Sequence, residues 1–303
     1  MIDICLAGTG GMMPLRNRWL TTCYSEVQGN GILIDCGEGT QIALAEADVN
    51  TNRINTLLIT HFHADHISGF PGLMLSLANF QKTSPLYIFT PPSGKEIIQK
   101  LSCICSVLPF KIYVDELPPD RFFTFNSPAI PDFEIISAPM NHTTKCLAYR
   151  LTLNRKPIFN PEKAKELNIP VQYWKILHRG EIVEFDGNIY TTEMVTDGER
   201  KSLAYTYATD TRPNDNLVQL AENADLFICE GMYGDEENVA DLRKKGHMNF
   251  IDAAHIAKKA NVKELWLTHY SPALPNPYAY KDSVRKFFYN TKIPKDGFKT
   301  FLS

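Results

Sequence analysis

Six consecutive residues carry the densest chemistry in this chain: His61-Phe62-His63-Ala64-Asp65-His66. Three imidazoles and a carboxylate so close together repel one another and lack partners unless something binds them. A divalent cation solves both problems, because imidazole nitrogen and carboxylate oxygen are ligands that suit zinc. The whole chain has eight histidines, so three within six positions do not read as chance loop residues. Alternation puts His61 and His63 on one side, and Asp65 and His66 follow as the chain turns, free to face a second ion. Three more candidates stand in matching places: His142 after FEIISAPMN, Asp210 after LAYTYAT and His269 after ELWLT. Taken singly, a loop histidine is usually solvated, and Asp210 could be a turn residue or helix cap. Their shared position at the exit of an apolar strand groups them. Five histidines and two aspartates suffice for two metals with one carboxylate bridging.

Strands must deliver these residues. IDICLAG, GILID (31–35), NTLLITH ending at His61, LYIFTP, KIYVD, FEIISAP, CLAYRL, LAYTYATDT ending near Asp210, LFICEG and ELWLTH ending at His269 all read as strands. Helical spacing covers His66 to Phe80, a segment from about Gln41, and 94–102, 214–223, 249–260 and 281–290, with Asn249 and Asp252 as an N-cap arrangement. This mixture predicts α/β sheets covered by helices. With 303 residues, 44% of them apolar and 21% charged, disorder and fibrous classes are excluded. No apolar run approaches the roughly 18 residues of a membrane span. The opening MIDICLAGTGG lacks the basic stretch of a signal peptide. Seven scattered cysteines argue against a disulfide framework and for a reducing, cytoplasmic compartment; Cys103 and Cys105 have no second pair to form a metal site with. The net charge of -3 gives no general reason to expect nucleic acid. Residues 150–180 are different: seven basic side chains stand there against Glu162 and Glu166.

The His-x-His-x-Asp-His motif, followed in order by a histidine, a strand-terminal aspartate and a final histidine, resembles the metallo-β-lactamase superfamily, and ILIDCGEGT resembles its early strand and turn. The resemblance covers nearly the whole chain. It implies a four-layer αβ/βα sandwich, one domain over 1–303, with a basic arm inserted at 150–180. It further implies two zinc ions per chain, with manganese as the alternative. By that resemblance His61, His63 and His142 hold one metal, Asp65, His66 and His269 the other, and Asp210 bridges. Asp35 would orient ligands from behind, or else be a turn aspartate.

Within the superfamily the chain is most similar to the ribonuclease Z family. LAGTGGMMPLRNR, THFHADHISGFPGLM, FNPEKAKELNIP with KILHRGEIVEFDG, and GHMNFIDAAHIAKKANVKELWLTHYS carry the likeness. It implies endonucleolytic removal of the 3′ trailer from precursor tRNA, in a cytoplasmic homodimer with no DNA or membrane partner. Asp65 would be the general base and His247 the acid, held in its tautomer by Glu230. Arg16, Arg18 and, in the arm, Arg155, Lys156, Lys163, Lys165, Lys175 and Arg179 would hold RNA phosphates. Some accessory stretches depart from the family pattern. Pro14-Leu15-Arg16-Asn17-Arg18-Trp19 stands for Pro-x-Lys-x-Arg-Asn, and Cys229-Glu230-Gly231-Met232 for His-Glu-Ala-Thr. His247-Met248-Asn249 stands for His-Ser-Thr, and Val171-Gln172 for a Gly-Pro in the arm. These departures keep a rival reading in play: a small-molecule hydrolase of the same fold acting on a cyclic nucleotide, lactone or sulfate ester.

Overall fold

A computed structural model describes residues 1–105, 107–234 and 239–303. The chain forms two compact units: one of Met1–Thr152 with Ala204–Ser303, and an inserted one of Leu153–Leu203. The first sheet takes β1 (Ile2–Gly8), β2 (Thr22–Val27), β3 (Asn30–Ile34), β4 (Ile54–Leu58), β5 (Leu86–Thr90) and β6 (Ile112–Glu116). The second starts with β7 (Phe123–Ser127), β8 (Ile130–Met140) and β9 (Cys146–Leu153). The inserted unit holds β10 (Ile158–Phe159), β11 (Val183–Phe185), β12 (Asn188–Tyr190) and β13 (Thr196–Asp197). The second sheet resumes with β14 (Leu203–Ala208), β15 (Leu226–Glu230), β16 (Leu265–Thr268) and β17 (Thr291–Lys292), and β18 (Phe298–Leu302) returns to pair with β1. The sheet orders are β18-β1-β2-β3-β4-β5-β6 and β17-β16-β15-β14-β9-β8-β7.

Helices α1 (Thr40–Glu46), α2 (Ala64–Ile67), α3 (Phe70–Asn79) and α4 (Gly94–Leu101) follow the first sheet's strands. Leu44, Leu73, Leu77 and Ile98 from α1, α3 and α4 share one core with Leu33, Leu57 and Ile88 of that sheet. The inserted unit has α5 (Pro161–Glu166) and α6 (Val171–His178); the larger unit adds α7 (Asp215–Ala221), α8 (Val239–Lys245), α9 (Phe250–Lys259) and α10 (Lys281–Arg285). Leu217, Leu220, Phe250 and Ala254 from α7 and α9 bury against Phe227 and Leu267 of the second sheet. The large unit is therefore the expected four-layer αβ/βα sandwich. Between the sheets Tyr149 and Tyr205 are fully buried, and each phenol must find a partner. Tyr149 Oη donates to the Ile59 carbonyl at 2.6 Å, and Tyr205 Oη lies 2.7 Å from Ser25 Oγ. Both bonds join one sheet to the other.

Two segments differ from expectation. The helix expected over 66–80 is broken at Ser68-Gly69, because the Cys36 N–H bonds to the His66 carbonyl and the Gly69 N–H to the Cys36 carbonyl. The break lets the turn after β3 close on the metal motif, and Pro71, which lacks an N–H, then sits in the first turn of α3. The helix expected over 281–290 stops at Arg285. Thr291 Oγ1 donates to the Phe288 carbonyl at 2.6 Å as β17 begins. Among the described residues no helix is long and apolar enough to cross a membrane.

The inserted unit has its own core of Ala164, Ile169, Leu177, Val183, Tyr190 and Val195. It runs past the 150–180 window, and that changes its electrostatics. Leu153–Leu203 carries eight Lys and Arg and eight Asp and Glu. The seven-to-two excess of 150–180 is a property of the window, not of the folded unit.

Candidate metal centre

Four of the seven expected ligands lie just past a strand's carboxyl end, where side chains leave the sheet and can converge. His61 follows β4, His142 follows β8, Asp210 follows β14 and His269 follows β16, while the α2 turn carries Asp65 and His66. The side chains fall into two groups, His61, His63, His142 with Asp210, and Asp65, His66 with His269. Asp210 is buried between them. Its Oδ2 lies 3.6 Å from both His61 Nε2 and His142 Nε2, and its Oδ1 lies 3.3 Å from His66 Nε2 and 3.1 Å from His269 Nε2. Asp65 Oδ2 completes the second group, 3.5 Å from His66 Nε2 and 3.4 Å from His269 Nε2. One carboxylate thus turns an oxygen to each group.

Chemistry tests whether a metal fits. His61 Nε2, His66 Nε2 and Asp210 Oδ1 are buried without a hydrogen-bond partner. Such atoms are costly unless a cation uses their lone pairs. Their convergence, with nitrogen and carboxylate donors only, fits a divalent metal. Charge states fit too. Burial holds His61 well below the usual histidine range and lowers His142 to about 4, so both offer neutral nitrogens. Burial opposes ionisation of Asp65 and Asp210. The histidines around them outweigh it, and both stay below the usual carboxylate range. His66 is the exception. Burial disfavours its charge, yet Asp210 and Asp35 prevail and raise it well above the ordinary value. A metal arriving there displaces a proton.

The groups behind the ligands fix their rings. Asp35 Oδ2 lies 2.8 Å from His66 Nδ1 and the residue itself is buried. The Gly246 carbonyl lies 3.0 Å from His142 Nδ1. Gly246 has φ +86 just past α8, and a Cβ there would meet His142 Nδ1 at 2.5 Å. Gly11 is as tight against the other group, where a Cβ would stand 2.7 Å from the His269 ring. The Met12 N–H donates to Asp65 Oδ2 at 2.7 Å. Arg212 gathers the Arg243 carbonyl, the Lys244 carbonyl at 3.1 Å and Asn141 Oδ1 at 3.1 Å, tying the His142 and Asp210 loops to the end of α8. None of these four was singled out in the sequence. The readable signal was the Lys244-Lys245-Gly246 run, a basic last turn followed by a C-cap glycine.

His247 lies beside this centre. Its Nδ1 is 3.1 Å from Glu230 Oε2, and the other Glu230 oxygen takes the Thr211 N–H. Burial works against a charged His247, but Glu230, then Asp210 and Asp65, raise its pKa to about 9. His247 Nδ1 is also 4.0 Å from Asp210 Oδ2, close enough for a ligand role to be weighed. Asp210, His247 and His269 form a third group that could hold a metal, while Glu230 lies against His247 Nδ1. Two of the departures around this pair, Cys229 and Met248, pack against each other. Cys229 Sγ meets Met248 Sδ at 3.9 Å in the core behind it.

The basic residues expected to hold RNA are less uniform. Arg16 is exposed. Arg18 spends its guanidinium inside the fold, on the carbonyls of Ser271, Leu274 and Pro275 at 3.3, 2.9 and 3.1 Å. In the inserted unit Arg155 donates to the Lys201 carbonyl at 2.7 Å and Lys156 to the Arg179 carbonyl at 3.2 Å. Lys163 pairs with Asp197 at 3.0 Å and Lys165 with Glu162 at 2.8 Å. Lys175 and Arg179 are exposed at the end of α6.

A helix-flanked pair of sheets that gathers histidines and aspartates at its strand ends places the chain among metal-dependent hydrolases of the metallo-β-lactamase fold. Solved structures agree on the fold. Human tRNase Z, short form, aligns with a TM-score of 0.71 at 20% identity over 99% of each chain. The metallo-beta-lactamase fold protein YhfI from Bacillus subtilis gives 0.69 at 21%, over 99% of this chain and 98% of that one. Sequence relatives go further. The chain is 46% identical to a Ribonuclease Z from Agathobacter rectalis over 98% of this chain and 97% of the relative. It is 42% identical to one from Clostridium acetobutylicum over 98% and 96%. The chain belongs to the ribonuclease Z family. A family model described as Anti-Pycsar protein Apyc1 also matches residues 2–178, more than half of the chain, so the chain belongs to that family too.

Proposed function

We propose that this chain removes the 3′ trailer from precursor tRNA by endonucleolytic cleavage, leaving a 3′-hydroxyl on the tRNA. The observation that carries the reading is the complete seven-residue centre, its bridging carboxylate included, in a chain of the ribonuclease Z family. Two zinc ions per chain suit the donor set, with manganese as the alternative. His61, His63 and His142 would hold one, Asp65, His66 and His269 the other, and Asp210 both. Bound there, they would supply an acidified water and positive charge for the phosphoryl oxygens.

The chain's own groups carry the protons. Asp65, fixed by the Met12 N–H, takes a proton from the attacking water. The water oxygen bonds to phosphorus as the bond from phosphorus to O3′ breaks. His247, held at Nδ1 by Glu230, gives a proton from Nε2 to the departing O3′. The products are a 3′-hydroxyl on the tRNA and a 5′-phosphate on the trailer. Arg16 and the exposed Lys175 and Arg179 are the best placed of the eight basic residues to meet phosphates. Arg155, Lys156, Lys163 and Lys165 do so by exchanging their present partners, and Arg18 by shaping the loop that presents Arg16. The cytoplasm suits seven free cysteines. A homodimer is the assembly the family resemblance implies.

A second reading, a hydrolase of a small cyclic nucleotide, lactone or sulfate ester, has one observation in its favour. The inserted unit balances its charges, and a small substrate needs no basic arm. Incubation with a precursor tRNA, followed by mapping of both new ends, tests the first reading. Cleavage at the trailer junction that weakens steeply with added salt supports it. An intact precursor beside brisk turnover of a small ester overturns it in favour of the second.

A further inference from the structure

Thr60 precedes the metal motif and took no part in the site as read from the sequence. Its side chain is buried at the end of β4. The hydroxyl lies 2.8 Å from Asp35 Oδ2 and 3.0 Å from Asp35 Oδ1, 3.1 Å from His61 Nδ1, and 3.3 Å from the Thr209 hydroxyl, which donates to it. A hydroxyl has one donor and two acceptor sites. Its single hydrogen goes to the carboxylate, since a charged acceptor makes the stronger bond. Both lone pairs are then left to accept, one from Thr209 and one from His61. His61 must carry its proton on Nδ1, which leaves Nε2 bare, and Nε2 is the buried, unpartnered atom aimed at Asp210.

Asp35 holds His66 directly, at 2.8 Å. Through Thr60 it also reaches His61, in the other group of ligands. We propose that Thr60 is a positioning residue that fixes the tautomer and ring of His61, so that one buried carboxylate, Asp35, supports a histidine in each half of the metal centre. The alternative acceptor for His61 Nδ1, Cys146 Sγ at 3.8 Å, is too soft and distant to replace it. The Thr60 N–H has its own bond to Asp35 Oδ1 at 2.8 Å. Losing the hydroxyl therefore leaves Asp35 anchored and His66 supported. The damage should fall on one half only.

The inference rests on the metal reading of the site and not on its substrate. Stepwise zinc titration against a chromophoric chelator, with native mass spectrometry for the count, tests it on the full chain. Thr60→Val should bind one ion with unchanged affinity and the other about 10–100-fold more weakly, the usual cost of removing a ligand's outer hydrogen bond. Thr60→Ser should restore both. Asp35→Asn should weaken both ions. Equal weakening of both ions in Thr60→Val, unchanged affinities, or failure of Thr60→Ser to rescue would overturn the proposal. A wild-type chain that binds fewer than two ions would instead refute the metal reading beneath it. Should Thr60→Val not fold, long-range proton–nitrogen correlation spectra of the wild-type chain decide. They should show His61 protonated at Nδ1, and a proton at Nε2 overturns the proposal without any variant.

Discussion

Replacing Gly246 by alanine separates two costs that usually arrive together. At φ +86 any L side chain is strained, by about 1–2 kcal/mol. The new Cβ would also stand 2.5 Å from His142 Nδ1, where relaxed contacts sit near 3.5 Å, so the ring must retreat by roughly 1 Å. Metal–ligand distances tolerate about 0.2 Å. The His142 ring is therefore pushed off its coordinating position and loses the Gly246 carbonyl that oriented it. We expect Gly246→Ala to lower affinity for the His61, His63, His142 ion by about 10–100-fold, with turnover falling alongside. Gly180 is the matched control. It too follows a helix, its N–H bonds back to Leu177 at 3.0 Å, its φ is +92, and a Cβ there meets nothing within 4 Å. Gly180→Ala should lose comparable stability in thermal unfolding with chelator present, while binding metal as the parent does. If the two variants bind metal alike, the strain alone mattered and the ring is not pinned as described.

Asp210→Ala removes the only carboxylate among the described residues that faces both groups, and it should release one or both ions and abolish hydrolysis, as metal analysis after gel filtration would read. His247→Ala should lower turnover by about 10²–10⁴-fold with metal content unchanged. A general acid must be protonated, so the parent rate should fall as pH rises through the His247 pKa, about 9 before cations lower it, and that alkaline limb should vanish in the variant. Metal binding at pH 7 should release about one proton, because His66 is held charged by Asp210 and Asp35 in the metal-free chain. Affinity should accordingly weaken as pH falls, and calorimetry in buffers of different ionisation heat would expose a zero release.

The residues that converge in the centre were legible because they obey two rules at once. Their types suit a metal, and they sit where an apolar strand ends, so His142, Asp210 and His269 could be picked out 76 to 203 positions past His66. What holds them was not legible. The contacts of Met12 and Gly246 with these residues use backbone groups, a main-chain N–H and a carbonyl, which every residue but proline has. Arg212 works by collecting carbonyls at a helix end of which the sequence shows only the basic last turn and its glycine, since α8 buries only Leu242 and has little apolar periodicity. The broken helix at Ser68-Gly69 was hidden likewise. Its spacing stays helical across the break, and only the bonds of His66 and Gly69 to Cys36 interrupt it.

Charge and drift carry the same lesson in opposite directions. Residues 150–180 gather seven basic side chains, but a fold is neutralised by what it brings near, not by what is adjacent in sequence. Asp197 lies outside that window and pairs with Lys163 within the unit. The field around the inserted unit is thus weaker and more local than the sequence suggested, concentrated where Lys175 and Arg179 stand exposed. The drifted motifs overstate change for a related reason. Cys229 and Met248 occupy positions where the family pattern has a histidine and a serine, which looks like lost chemistry. In the fold the two sulfurs meet in the core at 3.9 Å, each the other's neighbour, while Glu230 and His247 keep their 3.1 Å contact on the side that faces the metal ligands. Two changed residues that touch each other amount to one packing adjustment, and the Glu230–His247 contact is untouched by it.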